Sequence, residues 1–226
     1  MNSRRSCLPR TLEERARAPD ARAGAGSVRM RAAERMPTTP SPAEPSLAPA
    51  DLAWHWRAWG DLTTAELHAL LQLRSRVFVV EQACVYLDVD GRDPDAFHVL
   101  GKTEAPLADP PGTGVHGAGA VHSSSAARAA CDAHLAAYAR VFAPGARYED
   151  AACIGRVITH PSARGRGLGR AVMVETITGC ERRWPGAAIG LEAQQHLGRF
   201  YGSLGFRVVG VPYVEDGIPH VSMRRP

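Results

Sequence analysis

Ile154-Gly155-Arg156-Val157-Ile158-Thr159, followed after four residues by Arg164-Gly165-Arg166-Gly167-Leu168-Gly169-Arg170 and a periodic run to Trp184, is the stretch that decides the fold. Its β-branched opening predicts a strand. From Leu168 to Trp184, Met173, Ile177, Cys180 and Trp184 fall on one face at helical spacing, which predicts a helix ended by Pro185-Gly186. The segment Arg164 to Arg170, which runs from the linker into the helix start, holds three glycines and three arginines. A helix start leaves backbone N–H groups unpaired and aimed outward, and glycines keep side chains out of the way of a large anion. The segment therefore predicts a phosphate seat. A P-loop would end in Gly-Lys-Ser/Thr, and a dinucleotide fingerprint spaces its glycines at the first, third and sixth places. Here Gly165, Gly167 and Gly169 are evenly spaced, so neither nucleotide motif fits.

Downstream, Ala188 to Ala193 reads as a strand, His196 to Leu204 as a short helix closed by Gly205, and Phe206 to Val214 as a further strand. Strand, helix, strand, helix, strand predicts an α/β domain with a central mixed β-sheet flanked by helices. Upstream, Trp54, Trp56 and Trp59 suggest an opening strand, and Asp61 to Thr64 a turn and helix N-cap. Leu67, Leu70, Leu71, Arg74 and Phe78 place an amphipathic helix over Thr64 to Val80. The acids and turn formers from Asp88 to Asp95 lack the closing Glu of a calcium loop and read as a solvated loop rimming a pocket. Phe97 to Leu100 and Leu135 to Phe142 read as strands. The Gly-, Pro-, Ala- and Ser-rich residues 101–133, which hold the only lysine, Lys102, read as a flexible insertion.

Residues 1–50 mix Arg, Ala, Pro, Ser and Thr without periodicity and predict a disordered tail, with Met30 and Met36 as alternative starts to Met1. That leaves one domain over 51–226. The tail holds nine arginines against five acids, whereas the rest of the chain holds 18 basic and 18 acidic side chains. A nucleic-acid binder concentrates positive charge on its folded domain, and this domain has no surplus, so no nucleic-acid partner is expected. No apolar run approaches the roughly 20 residues that span a bilayer, and no signal-peptide core is visible in residues 1–30. No membrane association and a cytoplasmic location are expected. Cys7, Cys84, Cys131, Cys153 and Cys180 form no C-x-x-C pair and are odd in number. They suggest free thiols in a reducing compartment and no metal.

The glycine-arginine loop resembles the acyl-CoA signature Q/R-x-x-G-x-G/A of the GCN5-related N-acetyltransferase (GNAT) superfamily, matched at Arg164, Gly167 and Gly169. A second hallmark of that superfamily, a Tyr before a Gly-Phe turn, matches Phe200-Tyr201-Gly202-Ser203-Leu204-Gly205-Phe206. The likeness extends to the ElaA-like branch through Leu73 to Gln82, Ile154 to Ile158 and Glu215 to His220. It covers about residues 54–224, interrupted by the insertion.

The resemblance implies a GNAT fold and transfer of an acetyl group from acetyl-CoA to a primary amine of a small molecule or protein, by direct attack in a ternary complex. Val157, Ile158 and Thr159 would pair with the pantetheine arm. Arg164, Gly165, Arg166, Gly167, Leu168, Gly169 and Arg170 would hold the pyrophosphate, and Gln194 takes the place where many relatives contact the cofactor through Asn. Tyr201 would protonate the departing thiolate. Many relatives carry a Glu on the strand before the loop. Here Arg156 stands there, so the base is left open among Glu81, Glu192 and His220. Arg74, Phe78, Gln82, Arg156 and His220 would face the acceptor; Arg156 would either meet an acceptor anion or pair internally with Asp90 or Glu81. A homodimer is allowed for. Two other readings stand beside this one: an acyltransferase like the N-acyl-homoserine-lactone synthases, which share the fold and an Arg-x-x-Val-Phe helix, and a non-catalytic acyl-CoA-binding module.

Overall fold

A computed structural model describes residues 48–84, 86–104, 106, 107 and 134–226. The tail expected over 1–50, apart from its last three residues, and the greater part of the insertion expected over 101–133 lie outside the described residues. The described strands form one seven-stranded mixed sheet in the order β1-β2-β3-β4-β5-β7-β6. Their ranges are β1 Ala53–Ala58, β2 Ala96–Lys102, β3 Leu135–Phe142, β4 Ala151–Thr159, β5 Ala188–Gln194, β6 Arg207–Glu215 and β7 Ile218–Arg225. All neighbours pair antiparallel except β4 and β5, which run parallel and are joined through helix α2, Leu168–Arg183. Helix α1, Thr64–Arg74, precedes β2, and the short helix α3, Gly198–Gly202, follows β5. Among the described residues no helix is long and apolar enough to cross a membrane.

Thr63 starts α1 by a reciprocal cap: its hydroxyl accepts from the Glu66 N–H at 3.1 Å, and the Glu66 carboxylate accepts from the Thr63 N–H at 3.0 Å. The predicted helix over Thr64 to Val80 does not stay α-helical. After Arg74 it widens into a π-helix over Ser75–Glu81, a form that occurs disproportionately at functional sites. Both sheet faces are covered, which is why every residue of β3 is buried instead of alternating. Val99, Val141, Ile154, Met173, Ile177 and Leu191 build the core shared with α2, and Leu70, Leu73, Val77, Leu100, Tyr138 and Ile158 build the core under α1. Burying each such side chain contributes about 1.5–3 kcal/mol. On the α2 side, β1 docks through Trp56, whose indole N–H donates to Glu175 at 3.1 Å. Gly179 makes room for this ring: a Cβ there would lie 1.9 Å from Trp56 Cζ2.

The acidic loop is solvated only in part: Asp95 is exposed, but two of its carboxylates are not. Asp88 and Asp93 are 6% and 2% exposed because three arginines reach them from the core. Arg74 donates through Nε to Asp88 at 2.9 Å and through Nη1 to Asp93 at 2.7 Å. Arg140 pairs with Asp90 and Asp93, and Arg156 with Asp88 at 2.7 Å. Three arginines thus meet three aspartates, and charges that would be costly alone are held in balance.

Strand β7 has no counterpart among the predicted elements. It follows a two-residue turn, Asp216-Gly217, with φ of 49° and 78° and Glu215 opposite Ile218. Positive φ at both turn residues is the tight-hairpin geometry for which Asp-Gly is favoured. The outer edge strand β6 carries exposed valines, but its register against β7 shifts between Val209 and Tyr213, across Gly210 and Pro212. A bulge and a proline are devices that blunt a free sheet edge.

Candidate acyl-transfer site

Strands β4 and β5 pair only from Ala151 to Ile154 against Ala188 to Leu191, and then part. The cause is local to β4. Arg156 has φ of 52°, and the register against β3 shifts by one residue between Tyr138 and Arg140, so β4 bulges where it would otherwise follow β5. A non-glycine residue in the left-handed region is uncommon and needs anchoring. Asp88 grips the Arg156 guanidinium, which lies 5.1 Å from the Tyr86 ring and 5.7 Å from that of Phe78. Beyond Ile154 the β5-facing backbone of Gly155 to Thr159 has no strand partner among the described residues. The opening is a cavity of about 370 Å³, within the range of about 300–1,000 Å³ usual for small-molecule sites.

The predicted phosphate loop leads from the open end of β4 into α2. Gly167 is the N-cap of α2 with φ of 78°, and Gly165 has φ of 76°. A Cβ built on Gly165 or Gly169 would meet nothing within 4 Å, and one on Gly167 would touch Pro49 Cγ at 3.7 Å, so the turn is largely open. The first N–H groups of the helix, near Leu168 and Gly169, lack intrahelical partners and carry the positive end of the helix dipole. Leu168 is buried and fixes the helix start. Arg164 makes a two-pronged ion pair with Glu81 at 2.6 and 2.9 Å, and Arg170 donates to the Ser203 hydroxyl at 3.0 Å.

The cavity wall brings together Phe78, Gln82, Arg156, Val157, Glu192, Gln194, Tyr201 and His220 of the predicted residues. Tyr201 sits on α3, 7% exposed, its ring 5.0 Å from that of Phe200 and 6.1 Å from that of Phe206. Its hydroxyl has no hydrogen-bond partner among the described residues, and burial pushes its pKa up to about 12. It is therefore a neutral phenol at physiological pH. Glu192 is the first β5 residue past the last pair with β4. Its carboxylate accepts from the hydroxyls of Tyr148, Tyr213 (2.5 Å) and Ser222 (2.7 Å). Burial alone would raise its pKa, but these three donors, with Arg147 nearby, hold it below the usual carboxylate range. His220 Nδ1 lies 2.8 Å from the Ile218 carbonyl, and its ring stacks on Tyr213 at 6.0 Å.

Other predicted residues fall elsewhere. Arg74, expected to face the acceptor, is fully buried and bound to Asp88 and Asp93, outside the cavity wall, because the acidic loop folds over it. Glu81, a candidate base, stands on the surface against Arg164 and not on the wall. Ile158 packs into the core under α1, and Thr159 pairs with Ala137 of β3, so only Val157 of that trio lines the cavity. Of the two readings of Arg156, internal pairing is what the structure displays, chiefly with Asp88. The sequence reading did not find Tyr86, Arg147, Tyr148, Tyr213 or Ser222. The aromatic at 213 could have been taken from its place in a predicted strand, but its meeting with Glu192 depends on the order β5-β7-β6.

A sheet whose parallel pair splays beside a glycine-built helix N-terminus is the framework of an acyltransferase. The comparisons agree. The acetyltransferase (GNAT) domain family matches residues 120–225. Protein ElaA of Escherichia coli is 36% identical over 176 residues, covering 77% of this chain and 96% of that protein. A UPF0039 protein of Synechocystis sp. is 35% identical, covering 76% and 94%. Among solved structures, an acyl-CoA N-acyltransferase from Pseudomonas aeruginosa superposes with a TM-score of 0.61 at 38% identity, covering 77% of this chain and 99% of that one. E. coli ElaA superposes with a TM-score of 0.60 at 35% identity, with the same coverage. The chain belongs to the ElaA branch of the GNAT acetyltransferases.

Proposed function

We propose that the protein transfers the acetyl group of acetyl-CoA to a primary amine in a ternary complex. The observation that carries this reading is the parting of β4 and β5 directly before the open glycine turn at the start of α2. The free backbone edge from Gly155 to Thr159 would pair with the amides of the pantetheine arm, beside Val157 and Gln194. The N–H groups at Leu168 and Gly169, with Arg164, Arg166 and Arg170, would take the pyrophosphate. Gly165 and Gly167 keep that approach clear.

Tyr201 and Glu192 divide the proton chemistry. Glu192, already ionised, would accept the proton of the attacking amine, directly or through one water. The amine nitrogen bonds to the thioester carbonyl carbon, the carbon–sulfur bond breaks, and Tyr201 gives its proton to the leaving thiolate. Phe78, Gln82 and His220 would form the acceptor end. The acceptor would be a primary amine of a small molecule or of an exposed protein group. Thiol release from acetyl-CoA, measured with and without a panel of amines, tests the reading: amine-dependent thiol formation matched by acetylated amine supports it. CoA binding with no thiol above background in any amine would mean a binding module instead.

A further inference from the structure

Glu192 is held in a way that its role as proton acceptor alone does not require. The three hydroxyls that reach it come from three separate segments: Tyr148 from the β3–β4 loop, Tyr213 from β6 and Ser222 from β7. None of the three lines the cavity, whereas Glu192 does. They act from behind. A carboxylate offers about four lone-pair positions, and three O–H donors fill all but one of them. Among the described residues Glu192 has no ion pair, unlike Glu66, which meets both Lys102 and Arg57. Hydroxyl donors fix the orientation of the carboxylate while leaving its charge unneutralised, which suits a group that must take up a proton.

We propose that Tyr148, Tyr213 and Ser222 are positioning residues for amine deprotonation, clamping Glu192 so that its remaining lone pair points to the acceptor end of the cavity. This rests on the acetyl-transfer reading above. The groups facing Glu192 are Arg147 and Tyr148 from the β3–β4 loop, Cys153 from β4, Tyr213 from β6 and Ser222 from β7, with Glu215 and His220 beside Tyr213. The experiment must therefore follow Glu192 itself and not the summed titration of the site.

Full-length protein carrying glutamate labelled with ¹³C at the side-chain carboxyl is titrated by NMR, with the Glu192 resonance assigned from Glu192→Gln. Loss of one hydroxyl donor, in Tyr213→Phe or Tyr148→Phe, is expected to raise the Glu192 midpoint by about one pH unit. The acid limb of acetyl transfer to 4-nitroaniline, an aromatic amine so weakly basic that it stays neutral throughout the carboxylate range, moves up equally, so transfer at a pH on that limb falls about tenfold. Should either variant fail to fold, Ser222→Ala tests the same clamp from β7. An unmoved midpoint overturns the proposal, as does a moved midpoint with a stationary acid limb or a lower melting temperature with neither change. If the wild-type protein transfers acetyl to no amine, the acetyl-transfer reading falls, and the proposal about deprotonation falls with it; turnover with an unmoved Glu192 midpoint sinks the proposal alone.

Discussion

Tyr201→Phe isolates one oxygen atom. The ring is packed between Phe200 and Phe206, and the hydroxyl bonds to nothing among the described residues. Removing it leaves no buried partner unsatisfied and keeps the aromatic contacts, so stability is expected to stay within about 0.5 kcal/mol of wild type. CoA affinity is likewise expected to hold, because the proposed pyrophosphate seat lies on a different element. On the proposed mechanism, what is lost is the proton for the departing thiolate. General acid catalysis is worth about 10²–10⁴-fold, and water reaching the cavity would recover part of it, so a fall in kcat of at least about tenfold is expected, about 1.4 kcal/mol or more in barrier. With its pKa pushed up to about 12, the wild-type donor stays protonated through neutral pH. The rate should therefore show no loss from Tyr201 ionisation until strongly alkaline pH. Thiol release under saturating acetyl-CoA, beside calorimetric CoA affinity and a melting curve, is the assay. Unchanged turnover in a folded variant refutes the assignment of Tyr201 as acid.

Gly179→Ala should destabilise the protein although alanine is the better helix former by about 1 kcal/mol. The new Cβ would fall 1.9 Å from the Trp56 ring, forcing it out of its notch. A net loss of about 1–3 kcal/mol is expected, lowering Tm by several degrees in a thermal melt, and a stabilised variant would contradict the packing described. Glu66 supplies a pH dependence. Burial would raise its pKa, but the Lys102 hydrogen bond, the Thr63 N–H and the charges of Lys102 and Arg57 hold it at about 2, against 4.5 for the free side chain. Its folded-state pKa is depressed, so its contribution of about 3 kcal/mol is present above about pH 4.5 and is lost as pH falls toward 2. Lys102→Met should lower stability at pH 7 more than at pH 2.5 in denaturant titrations; an equal loss at both would count against the pair.

The elements legible in the sequence were those fixed by neighbours in the chain. The strand ending at Thr159, the glycine turn and α2 were readable because a positive φ at Gly167 and the apolar face of Met173, Ile177 and Cys180 are local properties. The Asp216-Gly217 turn was equally local, yet β7 was not anticipated. A strand of mixed polarity such as Pro219-His220-Val221-Ser222 shows its register only once β5 and β6 lie on either side of it. The acidic loop was misread for a different reason. Asp88, Asp90 and Asp93 look solvated until arginines 14, 50 and 68 positions away fold onto them. The same holds at the site, where the hydroxyls on Glu192 come from 44, 21 and 30 residues away. Arg74 illustrates the converse: its helical spacing correctly put it on the inner face of α1, but whether it meets substrate or aspartate is decided by a loop with no periodicity.

Whether the opening of α2 grips a diphosphate is tested most directly by calorimetric titration of coenzyme A into the wild-type protein and into Gly167→Val. Gly167 takes a left-handed conformation that costs a side-chain-bearing residue about 1–2 kcal/mol, and valine would also crowd the backbone donors. Saturable heat with the wild type and binding weakened at least about tenfold in the variant is the predicted result. No heat with folded wild-type protein, or equal affinity in both, would contradict it.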